Sequence, residues 1–511
     1  MVAALALVSV AIAAQLVPLS AATLADLSPR ALDIYRQRDL ATAVGIRTSF
    51  PISIDPRQTV LSLLILGVFT LLLAGTARML TRHSARQLAA ALSIVGVVLA
   101  IAGLVQRATF NGKLYGFWEL AQGGAPFGPY VNRNHFAGWM LMVLPLTVGL
   151  FASVLSRSRA GVRPHWRDRV LWLASTDANK AVLVGFAVLT MALALVVTLS
   201  RSGITAMIGA MLCVSVMMAR RQSGGRSRFV IPLYLAAVTL IVVSSVGVER
   251  VAARFVVPGL IDVEGRRAIW LDTWRMVDDF WLTGTGLNTF GSAALFYQAT
   301  LKGSHMREAH NDYLQLAAEG GLLAGVPIVL AIAVLAYGIR QRFRGDVGSM
   351  WWVRVGAVTG LLAVAAQSFV EFSLQMPGNA ALFAVLCGLA LHDGGRVVTE
   401  RQPAAAPIAP AEPGPSTRQR SPKVVQFLAA ERPLEFSSDG THEPTRALSR
   451  EFEPSYLDDA ALPPKRSRRR VARVGPVSSK RPASTEERTV GILALLTLMF
   501  CLLVFVGVFG G

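Results

Sequence analysis

A short polar block in the second half of the chain contains the residue types that proton transfer needs. Residues 307–312 read Arg-Glu-Ala-His-Asn-Asp and precede an apolar segment. A neutral imidazole serves as a general base near pH 7, so His310 is the leading candidate base, with Glu308 or Asp312 to orient it. Glu308 competes for the role if burial raises its pKa from the ordinary value of about 4.3. The structural alternative is that Asn311 or Asp312 only caps the following helix, which would not require the histidine.

An arginine in a tight turn is the strongest candidate for anion binding. Residues 200–203 read Ser-Arg-Ser-Gly and separate two apolar segments. A guanidinium at the edge of hydrocarbon is costly, so Arg201 should face a polar cavity or a partner. Guanidinium is also the best bidentate partner for phosphate oxygens, and the helix N-terminus that follows attracts anions. The alternative is an interfacial arginine that snorkels to the headgroups.

Two further arginines begin a stretch rich in tryptophan. Trp270, Trp274 and Trp281 recur at spacings of four and seven, which places them on one face of a helix. This pattern is typical of an amphipathic helix lying on a membrane surface, and interfacial anchoring explains the aromatic residues. Arg266 and Arg267 near the start of this helix are better candidates for anion contact.

The remaining candidate site residues lie in two other places. Residues 132–135 read Asn-Arg-Asn-His just before an apolar segment, and Arg133 and His135 are candidates there. Glu371 is the main charged residue inside the apolar segments, close to a turn that ends at Pro377. The seven histidines are scattered and the three cysteines fall in apolar blocks, so we predict neither a metal site nor a cofactor.

The elements that must position these residues are membrane helices. Of the 511 residues, 53% are hydrophobic and only 16% are charged, against about 25% charged in soluble domains. The apolar residues cluster in blocks of about 20, the length that crosses a hydrocarbon core. We predict an all-α, polytopic membrane helix bundle of about ten or eleven transmembrane helices, the first being an anchor helix or a cleaved signal segment. The predicted spans are 2–20, 59–78, 88–106, 136–155, 181–199, 203–219, 229–247, 320–339, 354–372, 379–392 and 490–509.

The arginines of the short loops predict the orientation. Four arginine-rich loops, which fall on one side by span counting, are assigned to the cytoplasm by the positive-inside rule. They are residues 79–87, 156–180, 220–228 and 340–353. Loop 107–135, the turn at 200–202 and the large loop 248–318 are then external. The net charge of +19 follows from these loops and from one tail, so we predict no nucleic-acid partner.

Residues 394–488 have a different composition. They hold 13 of the 25 prolines and a basic run at 465–470. Such a segment cannot bury enough apolar surface to fold, so we predict a disordered cytoplasmic tail segment. The basic run is either a solvated flank or a contact to anionic membrane lipids.

Four blocks, taken together, resemble the O-antigen ligase and O-antigen polymerase family. They read GPYVNRNHFAG at 128–138, LSRSG at 199–203, LTGTGLNTF at 282–290 and HNDYLQ at 310–315, in the family's order. The resemblance covers roughly residues 120–395. It implies a metal-independent glycosyltransferase of the bacterial inner membrane. Such an enzyme takes a glycan from an undecaprenyl diphosphate carrier on the periplasmic face and passes it to a lipid A core, a growing polysaccharide or a protein hydroxyl.

The resemblance also implies residue roles and a division into domains. It maps the family's turn arginine onto Arg201, its long-loop arginine onto Arg266 or Arg267, and its histidine onto His310. The expected domains are N-terminal transmembrane helices (1–119), a ligase-like catalytic membrane region with periplasmic loop 248–318 (120–395), a disordered Pro-rich segment (396–488) and a C-terminal transmembrane helix (489–511). The Pro-rich insert and the final span depart from the family, which leaves the acceptor open.

The residues and the resemblance point to the same chemistry. A diphosphate leaving group needs fixed positive charge and an acceptor hydroxyl needs a base, so we predict an inverting single displacement. O-antigen ligase, polymerase and protein glycosyltransferase are not separated by the sequence. The rival is a transporter or flippase of lipid-linked oligosaccharide, which should place binding residues near the bilayer midplane. A non-catalytic scaffold would leave the external arginines and histidine unexplained.

Overall fold

The computed structural model describes residues 1–119, 124–158, 167, 175–221, 229–256, 260–299, 305–346 and 348–393. Within these ranges the named secondary-structure elements are helices, apart from one antiparallel strand pair, β1 (Leu19–Ser20) with β2 (Ser49–Phe50). The helices are α1 (Val2–Ala14), α2 (Ala21–Leu27), α3 (Pro29–Arg38), α4 (Leu40–Ala43), α5 (Pro56–Met79), α6 (Arg82–Ala108), α7 (Arg133–Ser158), α8 (Thr176–Val197), α9 (Arg201–Arg221), α10 (Val230–Val246), α11 (Val248–Val256), α12 (Leu260–Asp279), α13 (Phe290–Ala294), α14 (Asp312–Gly345), α15 (Met350–Gln367) and α16 (Pro377–Leu391), with a 3-10 turn at Ser373–Gln375.

The membrane helices confirm the all-α polytopic fold. Seven helices in the described ranges are long and apolar enough to cross a membrane, namely α5, α6, α7, α8, α9, α14 and α15. The pair α10–α11 is bent by 90° and would make an eighth, and α1 and α16 are shorter apolar helices. These ten positions coincide with the first ten predicted spans. The predicted tail 394–488 and the last span lie outside the described residues, and the domain boundaries stay a prediction.

Helices α7 and α15 form the centre of the membrane region. Of the apolar stretch of α7, 89% of the residues are buried, and of α15, 78%, whereas only 11% are buried in α5. The two backbones touch through glycines. A Cβ added to Gly149 would lie 2.4 Å from the Trp352 carbonyl oxygen, and one added to Gly356 would lie 2.4 Å from the Pro145 oxygen. Gly356 and Gly360 are four residues apart, the small-residue spacing that lets membrane helices approach closely.

One end of the bundle gathers the starts of α7, α9 and α14 and the end of α15. The Asp312 N–H donates to the Ser368 carbonyl oxygen at 2.9 Å, which joins the start of α14 to the end of α15. A Cβ added to Gly203 would lie 2.7 Å from the Ala137 Cβ, so the starts of α9 and α7 are in contact. We call this the site end, because the candidate residues lie there.

The opposite end carries a buried arginine. The Arg354 side chain is only 3% exposed, and it donates to Asp346 Oδ2 at 2.9 Å and to the His392 carbonyl oxygen at 2.7 Å. These bonds tie the α14–α15 connection to the end of α16. Arg221 from α9 lies 4.7 Å over the Trp351 ring at the same end. Arginines of two predicted cytoplasmic loops or loop flanks therefore share one end of the bundle.

A second hydrophobic core lies outside the membrane helices. Residues 19–54, most of which lie between the first two predicted spans, pack against the long loop. Their buried side chains include Leu24, Ile34 and Phe50. They meet buried residues of the loop, among them Phe280 and Met306. The long loop is therefore held by a folded partner at the site end.

The glycine contact between α7 and α15 gives the first prediction. A methyl group at Gly356 meets backbone that cannot move aside, whereas Gly67, on the exposed face of α5, has nothing within 4 Å of an added Cβ. We expect Gly356→Ala to lower the free energy of unfolding by about 1–3 kcal/mol, the usual cost of overpacking. Thermal unfolding in detergent, followed by size-exclusion chromatography, measures it. Equal stability of Gly356→Ala and the control Gly67→Ala would contradict the packing described.

Candidate active site

A buried carboxylate at the site end joins four segments of the chain. Glu371 follows the end of α15, and its side chain is 1% exposed. Its Oε1 accepts hydrogen bonds from Arg266 Nη2 and from Asn134 Nδ2, both at 2.6 Å. Its Oε2 lies 3.9 Å from His310 Nδ1, an ion-pair distance that is too long for a hydrogen bond. Residues from α7, α12 and the segment before α14 thus converge on Glu371.

The surroundings keep Glu371 ionised. Burial by itself raises the pKa of a carboxyl group, because it disfavours the charged form. The adjacent Arg266 guanidinium opposes this most strongly, and the imidazoles of His310 and His135 add to it. The net result is a lowered pKa for Glu371. The centre of the site is therefore a fixed negative charge that holds an arginine and faces a histidine.

His310 is held in an unusual backbone conformation. Its φ is +52°, in the left-handed region that residues other than glycine seldom adopt. Asn311 caps α14, because its Oδ1 accepts from the Tyr313 and Leu314 N–H groups at 3.1 and 3.0 Å. The cap that was the structural alternative is thus present, but Asn311 provides it. The His310 imidazole faces Glu371, so capping does not account for the histidine.

The tryptophans of α12 and its end occupy two different environments. Trp270 Nε1 donates to the Ala309 carbonyl oxygen at 2.9 Å, which fixes the residue before His310. Trp274 and Trp281 are each 58% exposed. One face of α12 therefore supports the site through Arg266 and Trp270, and only the other two rings are available to an interface.

Glu308, the competing candidate base, lies beside the same segment. Its Oε2 accepts a hydrogen bond from Gln315 Nε2 at 2.9 Å. Burial raises the pKa of Glu308, and the Gln315 bond and the charges of His310 and Arg307 only partly oppose this. Glu308 therefore partly meets the requirement of a raised pKa, and both Glu308 and His310 remain candidates for the base.

The start of α7 brings a second histidine to the site. Asn132 Oδ1 accepts from the Asn134 N–H at 2.9 Å, so Asn132 caps α7 and directs the next turn. His135 is buried, and its ring stands edge to face with Phe372 at 4.4 Å between centroids. His310 contacts the same Phe372 ring at 4.7 Å. The two imidazoles therefore lie against one aromatic ring, next to Glu371.

Arg201 is the first residue of α9. Leu199 before it has a φ of +53°, and Ser200 Oγ accepts from the Gly203 N–H at 3.2 Å as the helix cap. Arg254 Nε donates to the Leu199 carbonyl oxygen at 3.4 Å. Because Gly203 touches Ala137, Arg201 lies at the same end as His135. The strained turn and the cap together fix the direction in which the Arg201 side chain leaves the backbone.

The other arginine candidates differ in their placement. Arg266 reaches Glu371, whereas Arg267 beside it is exposed. Arg133 begins α7, and its N–H donates to the Ala125 carbonyl oxygen at 2.8 Å. Of the alternatives Arg266 and Arg267, the structure places only Arg266 at the carboxylate. Among the described residues, no three His, Cys, Asp or Glu side chains converge as metal ligands.

The glycines of the TGTG loop allow a close backbone approach. Gly284 and Gly286 have φ values of +67° and +104°, and a Cβ on Gly284 would lie 2.1 Å from the Glu319 carbonyl oxygen. The Thr285 and Gly286 N–H groups donate to Ala318 and Glu319 carbonyl oxygens at 3.0 and 3.1 Å. The loop is thereby fastened to α14 just before its break at Gly321. This structural reason accounts for both glycines.

Sequence reasoning missed several residues around the site. It did not single out the Asn134 amide, the Phe372 ring or the Gln315 amide, and it passed over Glu319. A carboxylate such as Glu319 within an apolar segment is itself a signal, because a charge there needs partners. The amides carry no such signal, since their role depends on which segments meet.

Comparison with known proteins agrees with the geometry. Residues 186–329 match the family model described as O-antigen ligase. This segment of the chain is therefore similar to the O-antigen ligase family. The matched segment begins within α8, ends within α14 and contains Arg201, Arg266 and His310. Asn134 and Glu371 lie outside the matched segment, so the carboxylate comes from a part of the chain that the family model does not cover. No curated protein matches the chain.

The lowered pKa of Glu371 predicts how stability depends on pH. A carboxylate whose pKa falls on folding stabilises the protein above its unfolded pKa, and this stabilisation is lost as pH falls through the lowered value. We expect the unfolding temperature of the wild type in detergent to drop on acidification below the ordinary glutamate pKa. Glu371→Gln should start lower at neutral pH and drop less.

Glu249→Gln is the matched control, because Glu249 is an exposed glutamate of α11. Its pH dependence should follow the wild type. An acid-induced loss of stability in Glu371→Gln as large as in the wild type would show that the Glu371 charge is not what holds these segments.

Proposed function

We propose that this protein is an O-antigen ligase-type glycosyltransferase of the bacterial inner membrane. It transfers a glycan from an undecaprenyl diphosphate carrier to an acceptor hydroxyl on the periplasmic face. The observation that carries the proposal is the Glu371 cluster. One buried carboxylate holds Arg266 and faces His310, two residues of the matched segment, at the end of the bundle where Arg201 begins α9.

The arginines suit a diphosphate leaving group. Arg201 stands at the N-terminus of a 21-residue helix, where the helix dipole adds to its charge. Arg266 contacts Glu371 through Nη2, and a guanidinium has five N–H donors, so further donors can reach phosphate oxygens. Arg133 and Arg267 are outer candidates for the same anion. Fixed cations stabilise the charge that develops as the carbon–oxygen bond breaks, so no metal ion is required.

His310 suits the role of base in a single displacement. The acceptor oxygen forms a bond to the anomeric carbon while the bond from that carbon to the diphosphate oxygen breaks, and its electron pair stays with the diphosphate. The hydroxyl proton passes to the base. His310 Nδ1 faces Glu371, so Nε2 on the other edge of the ring is the atom for the acceptor. Glu371 then stabilises the imidazolium, and its 3.9 Å gap is of the kind that closes on substrate binding.

The other candidate residues have supporting roles in this scheme. Asn311 caps α14 and so sets the segment that carries His310. His135 shares the Phe372 ring with His310 and contributes to the field at Glu371. Glu308 remains the alternative base. The acceptor is a lipid A core, a polysaccharide or a protein hydroxyl, since none of these residues distinguishes between them.

The position of the cluster favours transfer over transport. Its members lie at the start of α7, in α12, just before α14 and just after α15, whereas a transporter binds its substrate near the bilayer midplane at broken helices. The opposite end holds Arg221 and Arg354, which lie in or beside predicted cytoplasmic loops, so the positive-inside rule supports a periplasmic site. The exposed Trp274 and Trp281 are suited to the periplasmic interface of the inner membrane, where a lipid-linked donor presents its diphosphate.

The proposed orientation is tested by cysteine labelling in spheroplasts. In a background with Cys213, Cys387 and Cys501 replaced by alanine, Arg36→Cys lies at the site end and Gly345→Cys at the opposite end. A membrane-impermeant thiol reagent should label position 36 in intact spheroplasts and position 345 only after lysis. The reverse pattern would place the site in the cytoplasm and exclude the proposed donor side.

The division of labour between Arg201 and His310 is tested by donor binding and single-turnover transfer. Arg201→Ala should abolish donor binding, and Arg201→Lys should recover only part of it, because ammonium lacks the bidentate geometry. His310→Ala should bind the donor normally and slow transfer by about 10²–10⁴-fold, the contribution of a positioned base. Glu308→Gln shows the larger loss if the carboxylate is the base.

The assay uses the purified protein, an undecaprenyl diphosphate-linked disaccharide and EDTA throughout, so that it also tests metal independence. Arg250→Ala, an exposed arginine of α11, is the matched control and should transfer normally. Normal turnover by His310→Ala in folded protein would remove the histidine from the mechanism. Activity that appears only when magnesium or manganese replaces EDTA would show that the arginines do not suffice.

A further inference from the structure

A chain of buried amides and carboxylates runs from the first helix to the candidate base segment. It begins at Gln15, which ends α1 and is fully buried. Gln15 Nε2 donates to the carbonyl oxygens of Thr283 and Glu319, both at 2.9 Å. Its Oε1 accepts from the Leu287 N–H at 3.2 Å. One side chain of α1 therefore bonds both the TGTG loop and α14.

Glu319 is the next member of the chain. Its side chain is buried, and its carboxylate accepts from the N–H groups of Asn288 at 2.8 Å and Phe290 at 3.0 Å. It also accepts from Gln315 Nε2 at 3.3 Å. These donors are neutral, so their number and direction satisfy the carboxylate. Glu319 thus fastens the loop that follows Gly286 to the first turns of α14.

Gln315 connects the chain to the candidate bases. It is 2% exposed, and its Oε1 accepts from the Ala309 N–H at 3.0 Å. Its Nε2 donates to Glu308 Oε2 at 2.9 Å as well as to Glu319. A single amide therefore holds the two residues that immediately precede His310.

The backbone of His310 explains why such a hold is needed. A left-handed conformation in a residue other than glycine costs free energy and persists only where the surroundings determine it on both sides. Asn311 fixes the following side as the cap of α14. Gln315 fixes the preceding side through Ala309 and Glu308. Without Gln315, this segment would keep its cap and the Trp270 bond to the Ala309 carbonyl oxygen, and it would lose the bonds to the Ala309 N–H and to Glu308.

We propose that Gln315 is the positioning residue for the catalytic base, and that Glu319 and Gln15 hold Gln315 in place. Helix α1 therefore contributes to the geometry of the site. The proposal rests on the proposed function, because its main readout is glycan transfer. It deepens that function by giving roles to three residues that touch neither the diphosphate cations nor Glu371.

The direct test replaces Gln315 by methionine, which keeps the length of the side chain and removes its hydrogen bonds. We expect the rate of single-turnover transfer from an undecaprenyl diphosphate-linked disaccharide to fall by up to about 100-fold, as for a misplaced reacting group. Donor binding should stay unchanged, because the proposed diphosphate contacts belong to α9 and α12. A merely structural residue would weaken both.

The matched control is Gln375→Met. Gln375 also donates to an acid near the site, Asp312 Oδ1 at 3.3 Å, but it is exposed and does not touch Glu308 or Ala309. A transfer rate of Gln315→Met within twofold of the Gln375→Met rate, in protein of equal membrane abundance, would overturn the proposal.

The pH profile then identifies which base Gln315 positions. Glu308 faces Gln315, Arg307 and His310, and it interacts electrostatically with Glu319 and Asp312. The Gln315 bond lowers the pKa of Glu308, so its removal raises that pKa. If Glu308 is the base, the acid limb of the rate profile of Gln315→Met moves to higher pH. If His310 is the base, the rate falls without that move. Both results support a positioning role, and a wild-type profile at the wild-type rate overturns it.

A double-mutant cycle tests the participation of α1. Gln15→Met should slow transfer less than Gln315→Met, and the double variant should lose less than the sum, because the residues act through the shared Glu319. Additive losses would remove Gln15 from the chain. Hydrogen exchange of residues 283–290 in the full-length protein gives a reading that is independent of activity. Exchange should become faster in Gln15→Met, since Leu287 loses its acceptor.

The two readouts separate the possible failures. A wild-type protein that transfers no glycan, with exchange of 283–290 still accelerated in Gln15→Met, would refute the proposed function while the buried chain stands. Normal transfer by Gln315→Met would refute the positioning role while the proposed function stands. Unchanged exchange in Gln15→Met would refute the chain itself.

Discussion

The placement of one negative charge governs the rest of this structure. A carboxylate at the edge of hydrocarbon is stable only when cations and donors surround it, and removing a partner from a buried pair typically costs about 3–5 kcal/mol. Glu371 meets this condition with Arg266 and Asn134, which lie 105 and 237 residues away in the chain. The carboxylate therefore requires α7, α12 and the end of α15 to meet at one point, and it brings His310 to the same point.

Two separate packing arrangements make that meeting precise in position. The glycine contacts of α7 with α15 set the distance between Asn134 and Glu371, because backbones in contact leave no freedom to slide. The second core, formed by residues 19–54 and the long loop, sets Arg266 and His310 through Phe280 and Met306. The Glu371 cluster lies where the α7–α15 contact meets the second core. A change in either core should therefore be felt at the same carboxylate.

The arrangement also reconciles two requirements that conflict. Diphosphate chemistry needs fixed positive charge, whereas proton abstraction by a histidine is favoured by a nearby negative charge. Arg266 bonds one oxygen of Glu371 and His310 faces the other, so the two demands are met on opposite sides of one group. Arg201 is built separately, at the start of α9 after a strained turn at Leu199.

The sequence by itself determined the features that depend on local composition. Apolar length set the membrane helices, since crossing hydrocarbon needs about 20 residues whatever they contact, and the first ten predicted spans coincide with helices. Asn311 as a cap is equally local, because the donors lie two and three residues onward. The motif blocks supplied Arg201 and His310, and the resemblance added Arg266 or Arg267; all of these lie in the segment that matches the O-antigen ligase family model. What only the tertiary structure decided is pairing. Glu371 was an acid without an assigned role, Arg266 and Arg267 were equivalent candidates for the anion, and Gln15 was one polar residue in an apolar helix. Nothing near each of these residues in sequence says which distant segment it will meet.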